Sequence, residues 1–477
     1  VHSSCPCNEL VSIRNRVIGV VPLPTTPGID SLKQTLKHMR KFISPVSPIT
    51  YEEFYSSYSG PKRQAYIAAA LSLEQDPVCK RDSKIDMFVK CERINPVEKF
   101  NPDPRPISAR NKRYVLSIGV WLKPLEHELY RTKFGFKHRL IVKGMNPSAR
   151  AQLLLKKMSE FRSPLVASLD CSRWDKHVNI QMLQLEHDFY NSKCHDTTLA
   201  KLLSYQLINK CKASNGTRYT AEGRRMSGDY NTALGNCLLM TAMAITAMKQ
   251  LCDKRGDPIK YDLMDDGDDC LIIVERENGP LLDKLTGIFL TFGHELKIEN
   301  KATIPEMVWF CQSSLVHIRD TTLPEHWKFV RNPRKVLSNA STGFDKLRDP
   351  RRRRKMFYAI GSCELALNIG VPLLQSFACK LIALGEECDV LQLLQTSAEF
   401  NDLAYRVKNL PLNMRPVPIS TATRLSFSMA FGITIQEQMD LETIIDQWNP
   451  DIFDEYEVPY DVLRDLKTTM DLQLTGS

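Results

Sequence analysis

Between Tyr261 and Glu275 the chain reads YDLMDDGDDCLIIVE, four aspartates and one glycine set between two apolar runs. The runs Tyr261 to Met264 and Cys270 to Val274 are expected to be the two strands of a hairpin, with Gly267 supplying the permissive backbone at its turn. Four like charges packed at a solvated tip repel one another, and divalent cations are the economical reason to gather them. Oxygen-only donors favour Mg²⁺ or Mn²⁺. A second source of carboxylates is SPLVASLDCSRWDK, Ser163 to Lys176. There Pro164 to Leu169 reads as a short buried strand that delivers Asp170 at its end, and Asp175 follows five residues later. Taken alone, that acid pair also fits a surface turn with two solvated carboxylates. Asp170 and Asp268, each at a strand end, would bridge two ions roughly 3.5 to 4 Å apart, an arrangement suited to in-line phosphoryl displacement.

Two further segments carry groups that such chemistry needs. GRRMSGDYNTALGNCLLMTAMAITAMKQL, from Gly223 to Leu251, begins as a Ser-Gly loop and passes into a long apolar helix. Thr232 and Asn236 stand four residues apart, on one face of its first turns. They either satisfy local backbone or reach into a cleft. From Met87 to Glu126, five prolines interrupt a stretch that carries Lys90, Arg93, Lys99, Arg105 and Arg110. Prolines exclude a regular amphipathic helix here, so the cations are expected along a loop or ribbon. Arginine forks and lysine point charges neutralise triphosphate oxygens; a solvated basic surface accounts equally for any one of them.

These elements sit in a chain of 477 residues with 43% hydrophobic and 25% charged residues, a globular composition long enough for about three domains. The net charge is +9, but Glu437 to Lys467 alone carries −8, leaving +17 on the rest. A basic body fits nucleic acid, and the acidic segment is expected either as an internal counter-charge or as a solvated helix pair. Fourteen cysteines without a C-x-x-C pair read as free thiols. His2, Cys5 and Cys7 are a weak zinc set against an irregular tail. The chain opens on Val1 with no charged-then-apolar leader, and is expected to be a segment of a longer product. Thr232 to Met248 is the longest apolar run, read as a buried helix rather than a membrane span. No Gly-Lys dipeptide and no completed His-Glu-x-x-His motif occurs, which sets aside Walker-loop and zincin chemistry.

In order and separation these blocks resemble the motifs of viral RNA-dependent RNA polymerases, most closely those of the tombusvirus family and its positive-strand relatives. The likeness runs from about Phe88 to about Leu337 and includes KGMNPSARA at 143 to 151, SLDCSRWDKHVN at 168 to 179, GRRMSGDYNTALGNCLLM at 223 to 240, GDDCLIIVE at 267 to 275 and WFCQSSLV at 309 to 316. The resemblance implies Asp170 and Asp268 as principal metal ligands, Asp269 as an accessory acid, and Asp175 and Asn236, helped by Thr232, as readers of the ribose 2′-hydroxyl. It places Ser227 and Gly228 in a mobile loop beside template and nascent pair. It places Arg105 and Arg110 on the incoming triphosphate, with Lys90 and Lys99 in the same channel. Lys297 matches a lysine that protonates the leaving pyrophosphate, with a solvated strand-end lysine as the alternative. Phe310, Cys311 and Gln312 match a hairpin under the growing strand's end. Trp174 and Lys176 replace the family's usual Phe and Gln, a change expected to alter packing and not chemistry. Asp265 and Asp266 stand where relatives often carry Asn, and either strengthen metal attraction or change metal preference.

The fold class so implied is α+β, in a right-hand arrangement. The boundaries are fingers in residues 1–163 with a return at about 178–222, a palm with an antiparallel sheet in 164–330, and a helical thumb with the acidic segment in 331–477. RDPRRRRK, with Arg351 and Arg352, is read as a phosphate contact or an exposed helix end. The implied activity is template-directed RNA synthesis from ribonucleoside triphosphates with Mg²⁺ or Mn²⁺. The implied setting is host cytoplasmic membranes, reached through a companion viral replication protein. The rival readings are a reverse transcriptase on the same palm and a non-catalytic RNA-binding scaffold.

Overall fold

The computed structural model describes residues 2–92, 94, 101–256, 258–320, 322–340, 349–395, 400–407 and 409–449. Among them, helices alternate with eleven strands: β1 (Ile85–Val89), β2 (Pro106–Arg110), β3 (Pro164–Cys171), β4 (Ile208–Ala213), β5 (Arg218–Glu222), β6 (Tyr261–Asp265), β7 (Asp269–Glu275), β8 (Leu296–Ala302), β9 (Trp309–Phe310), β10 (Ser313–Ile318) and β11 (His326–Arg331). They form three sheets, ordered β2-β1-β4-β5, β6-β7-β3-β8 and β11-β10-β9. The mixture is α+β.

The β6-β7-β3-β8 sheet is antiparallel throughout and covered on both faces. That is why β3 and β7 read as near-continuous apolar runs and not as an alternation. Their side chains still sort with a period of two. Ala167, Leu169, Cys270, Ile272 and Val274 enter one apolar cluster, whereas Val166, Leu271 and Ile273 enter another with Leu154, Phe310 and Leu315. On the first face lies the helix Thr232–Arg255, whose residues Leu234 to Met248 are buried without a break. It packs between the sheet and the helices Thr26–Met39 and Ile180–Cys194. Among the described residues no helix is long and apolar enough to cross a membrane.

The β2-β1-β4-β5 sheet joins distant pieces of chain: β1 pairs antiparallel with β2 but parallel with β4, which lies in the 178–222 segment. Beyond β11 the chain turns helical, and Pro350–Asn368 packs on Leu374–Leu384 around a core of its own. Arg351 sits in the first turn of Pro350–Asn368; Arg352 is exposed and stands 3.5 Å from Asp349. Residues 450–477 lie outside the described set, and with them most of the acidic segment and its expected role as counter-charge. In its described part Glu442 is paired with Arg424 at 2.7 Å and Glu437 caps its own helix, Ile435–Gln447. The Cys5 thiol accepts from the Asn8 N–H at the start of Pro6–Ile13, and among the described residues His2, Cys5 and Cys7 form no group that could hold a metal ion.

Candidate active site

The hairpin forms where the aspartates predict it. β6 ends at Asp265, paired with Cys270, and the Asp266 N–H donates to the Asp269 carbonyl at 2.9 Å. Gly267 and Asp268 make the tip, and Gly267 has φ +107°, backbone that a side chain would strain. Across the sheet Asp269 is the register partner of Asp170, and Asp170 is in turn the partner of Lys297 on β8. Directly paired residues share a face, with Cα atoms roughly 4.5–5.5 Å apart. Asp170, Asp269 and Lys297 therefore emerge together, and Asp268 projects beside them from the tip. Burial, helped by Asp268 and Asp170, pushes the Asp269 carboxyl up to about 7. Asp170, Asp268 and Asp269 together also raise the buried Cys171 thiol beyond what burial does.

Three neighbouring carboxylates, two of which disfavour the charge of the third, form an oxygen donor set suited to hard divalent cations. Among the described residues no three His, Cys, Asp or Glu side chains are already closed to ligating distance.

Four aspartates do not act as one group, which corrects the expectation for Asp265 and Asp266. Asp265 is fully buried, accepts from the Thr241 hydroxyl at 3.3 Å, and is held well above the usual carboxylate range by that burial. Asp266 is bound by Lys143 at 3.1 Å and Arg150 at 2.8 Å. Asp265 is thus sealed from the cleft, whereas Asp266 lines it beside Asp268 and Asp269 with its charge countered by Lys143 and Arg150. Lys143 and Arg150 belong to the KGMNPSARA block, and sequence reasoning assigned them no role.

Asp175 follows β3 on the short helix Trp174–His177. Burial raises its carboxyl to about 6 against the pull of Arg225; Asp268 adds to the rise, while Arg105 and a hydrogen bond from Asn236 oppose it. The structure thus gathers Asp175, Asn236, Asp268 and Arg105, residues spread over more than 160 positions. Asn236 is buried and also accepts from the Arg225 Nε at 2.9 Å. Thr232 does not join them through its proton. Its hydroxyl donates to the Met226 and Asp229 carbonyls, so local backbone satisfaction is what it does here.

Two basic assignments part company. Arg105 is exposed, ahead of β2, with a long 3.5 Å approach to Glu92, which Lys90 also meets at 3.2 Å. Arg110 is a correction: its side chain is wholly buried, paired with Asp229 and donating to Asn209 and the Ser83 carbonyl. Its guanidinium is sealed from solvent with four of its five N–H donors engaged, and it anchors the Ser-Gly loop to β2. That loop is docked on β2. Gly228 N–H donates to the Ser108 carbonyl at 2.9 Å, and the Ser227 hydroxyl accepts from the Ser108 N–H at 3.0 Å. A Cβ on Gly228 would strike the Ser108 and Ala109 backbone. Lys99 and Arg93 lie outside the described residues.

Trp174 and Lys176 are both buried, and Trp174 packs on His294 with ring centroids 4.7 Å apart. Facing the acids is a cleft of about 450 Å³. Asp266, Asp268 and Asp269 line it together with Lys143 and, from later parts of the chain, Arg331, Lys335 and Arg406, of which Arg331 is paired with Glu364 and Arg406 with Asp402. Cys311 and Gln312, both at positive φ, also line the cleft.

The chain matches the family model described as viral RNA dependent RNA polymerase over residues 2–453. It is 34% identical over 469 residues to the RNA-directed RNA polymerase of Cucumber necrosis virus, an alignment covering 95% of this chain and 55% of that protein. The corresponding protein of Tomato bushy stunt virus (strain Cherry) is 34% identical over 448 residues, covering 93% and 52%. That of Turnip crinkle virus is 33% identical over 457 residues, covering 93% and 57%. The chain spans about half the length of the curated relatives it matches.

Proposed function

We propose that this chain, which belongs to the viral RNA-dependent RNA polymerase family, carries the catalytic site of RNA-templated RNA synthesis. The reaction is transfer of a nucleoside monophosphate from a ribonucleoside triphosphate to an RNA 3′-hydroxyl, with release of pyrophosphate. The observation that carries the reading is the register of Asp170 with Asp269 across two central strands, with Asp268 beside them at the hairpin tip.

Asp170 and Asp268, with Asp269 as accessory, would hold Mg²⁺ or Mn²⁺. Such ions, when bound, activate the attacking hydroxyl and neutralise charge on the transferred phosphoryl. The rest falls to side chains. Asp175 and Asn236 meet the ribose hydroxyl, and a 2′-deoxy substrate leaves their polar groups unpaired. Arg105, with Lys90 behind it, faces the triphosphate, and its exposed guanidinium leaves its fork for phosphate oxygens. Lys297, exposed on β8 in register with Asp170, supplies the proton that the departing pyrophosphate takes up. Catalysis of this kind is mostly positioning and charge neutralisation.

The same reading assigns the β2-β1-β4-β5 sheet to fingers, the β6-β7-β3-β8 sheet to the palm and the helices after β11 to the thumb. Membrane-associated complexes in host cytoplasm, joined through a companion replication protein, are the proposed setting. The test is extension on a defined RNA, with and without primer, across Mg²⁺ and Mn²⁺. Incorporation of UTP in preference to dTTP supports the reading. RNA binding without extension in either metal overturns it in favour of a scaffold, and preference for dTTP overturns it in favour of a reverse transcriptase.

A further inference from the structure

Beneath the ribose-reading pair lies a buried ion pair that the reaction itself does not use. Glu186, on the apolar face of Ile180–Cys194, is fully buried and meets the Arg225 guanidinium through both carboxylate oxygens. Asn231 at 2.7 Å and the Tyr190 hydroxyl at 2.9 Å also donate to Glu186. The carboxylate is saturated, and Arg225 is fixed by it in position and in plane. The remaining edge of the guanidinium, Nε, donates to Asn236 Oδ1 at 2.9 Å. The Arg225 backbone N–H donates to the Asp175 carbonyl at 2.8 Å. One residue thus holds both members of the pair.

An arginine side chain has donors only, so an amide laid against it must present its oxygen. The amino end of Asn236 is then left for Asp175, whose charged form Asn236 favours. Rotated by half a turn, the amide would set its oxygen against a carboxylate and its amino group against a cation. The helix is shaped for this brace: a Cβ on Gly235 would run into Arg225 and both Glu186 carboxylate oxygens. A buried pair is weak evidence for added stability, since apolar replacement is often neutral.

We infer that Arg225, locked by Glu186, is a positioning residue for sugar selection: it fixes the Asn236 amide so that amino group and Asp175 carboxylate face the 2′-hydroxyl together. The inference rests on the proposed role of Asp175 and Asn236, and goes beyond it by naming what sets their orientation.

The test compares kcat/KM for UTP and 2′-deoxy-UTP on an RNA primer-template in Mg²⁺, for the whole chain and the variants Arg225→Lys, Asn236→Ala and the paired Arg225→Met with Glu186→Met. In Arg225→Lys the value for UTP is expected to fall about tenfold while that for 2′-deoxy-UTP stays within about twofold, so selectivity drops about tenfold. The paired variant removes the cation together with the carboxylate that locks it, so Glu186 is not left unpaired; it is expected to fold and to show the same loss, and it decides the case if Arg225→Lys fails to fold. A brace that serves the fold alone lowers both substrates together and leaves the ratio unchanged. An unchanged ratio in the Arg225 variants, with selectivity lost in Asn236→Ala, overturns this inference only. An unchanged ratio in Asn236→Ala overturns the ribose reading and this inference with it.

Discussion

On the incoming arm of the central hairpin, Asp265 is sealed inside the protein and Asp266 is held by two cations from the block that precedes β3. On the outgoing arm, past Gly267, Asp268 is exposed to the cleft and Asp269 stands in register with Asp170. Four identical side chains within five positions thus live in three electrostatic settings: buried, countered and gathered. A carboxylate's type says that it can carry charge; its neighbours decide whether the charge is suppressed, spent on structure or kept for a ligand. The first pair holds the turn so that the second can be presented.

The sharpest way to break this contrast is to remove one charge from each side. Asp268→Asn keeps the shape of the tip and takes away a principal ligand, and extension is expected to fall by about 10³-fold or more. RNA affinity, read by filter binding, stays within about twofold. Retained synthesis in Asp268→Asn would remove the assignment of catalysis to the outgoing arm.

Asp266→Ala comes next in size. It leaves Lys143 and Arg150 facing one another without their acid, but both are partly solvated, so the cost is expected at about 1–3 kcal/mol and not the larger toll of a sealed pair. Denaturant unfolding measures that loss. Extension should fall by about tenfold through a loosened tip, with the metal concentration for half-maximal rate shifted by less than about threefold. A larger shift in metal dependence would place Asp266 with the ligands and dissolve the division at Gly267.

The hairpin, β3 and the central helix were legible from the chain because each is an apolar run closed by an acid or a glycine, and burial on both faces makes such runs unbroken. The register that brings Asp170 onto Asp269 was not, because runs that are apolar on both faces offer no alternation to fix it. The fate of individual charges was not legible. Arg105 and Arg110 look alike in PRPISAR, yet the alternation of β2 turns Ser108 and Arg110 inward, and the acid that receives Arg110 lies 119 positions away. Lys143, Arg150 and Arg225 escaped notice for the same reason: each has a partner that is distant in sequence. A signal did exist for Glu186, a lone acid among Met182, Leu183, Leu185, Phe189 and Tyr190 on a helix face that has to be buried. Such a residue needs a cation, and an arginine beside the Ser-Gly loop was available to supply it.

Asp265 offers the smallest and most discriminating effect. Its folded-state pKa is raised by burial, with Asp266 adding to the rise, and so the folded protein holds a proton that the unfolded chain releases above the ordinary carboxylate range. Folding stability from this group is therefore intact below about pH 4, the unfolded value, and is lost as pH climbs above it. Asp265→Asn supplies a neutral side chain of the same shape, able to accept from Thr241 without a proton. The variant should be more stable than the parent by on the order of 1 kcal/mol at pH 7, with the gain shrinking towards zero near pH 4, and extension should stay within about twofold. Unfolding midpoints measured at both pH values check the sign. A variant less stable at pH 7 would mean that Asp265 carries a charge its surroundings favour, and the incoming arm would then differ from the outgoing one in position alone.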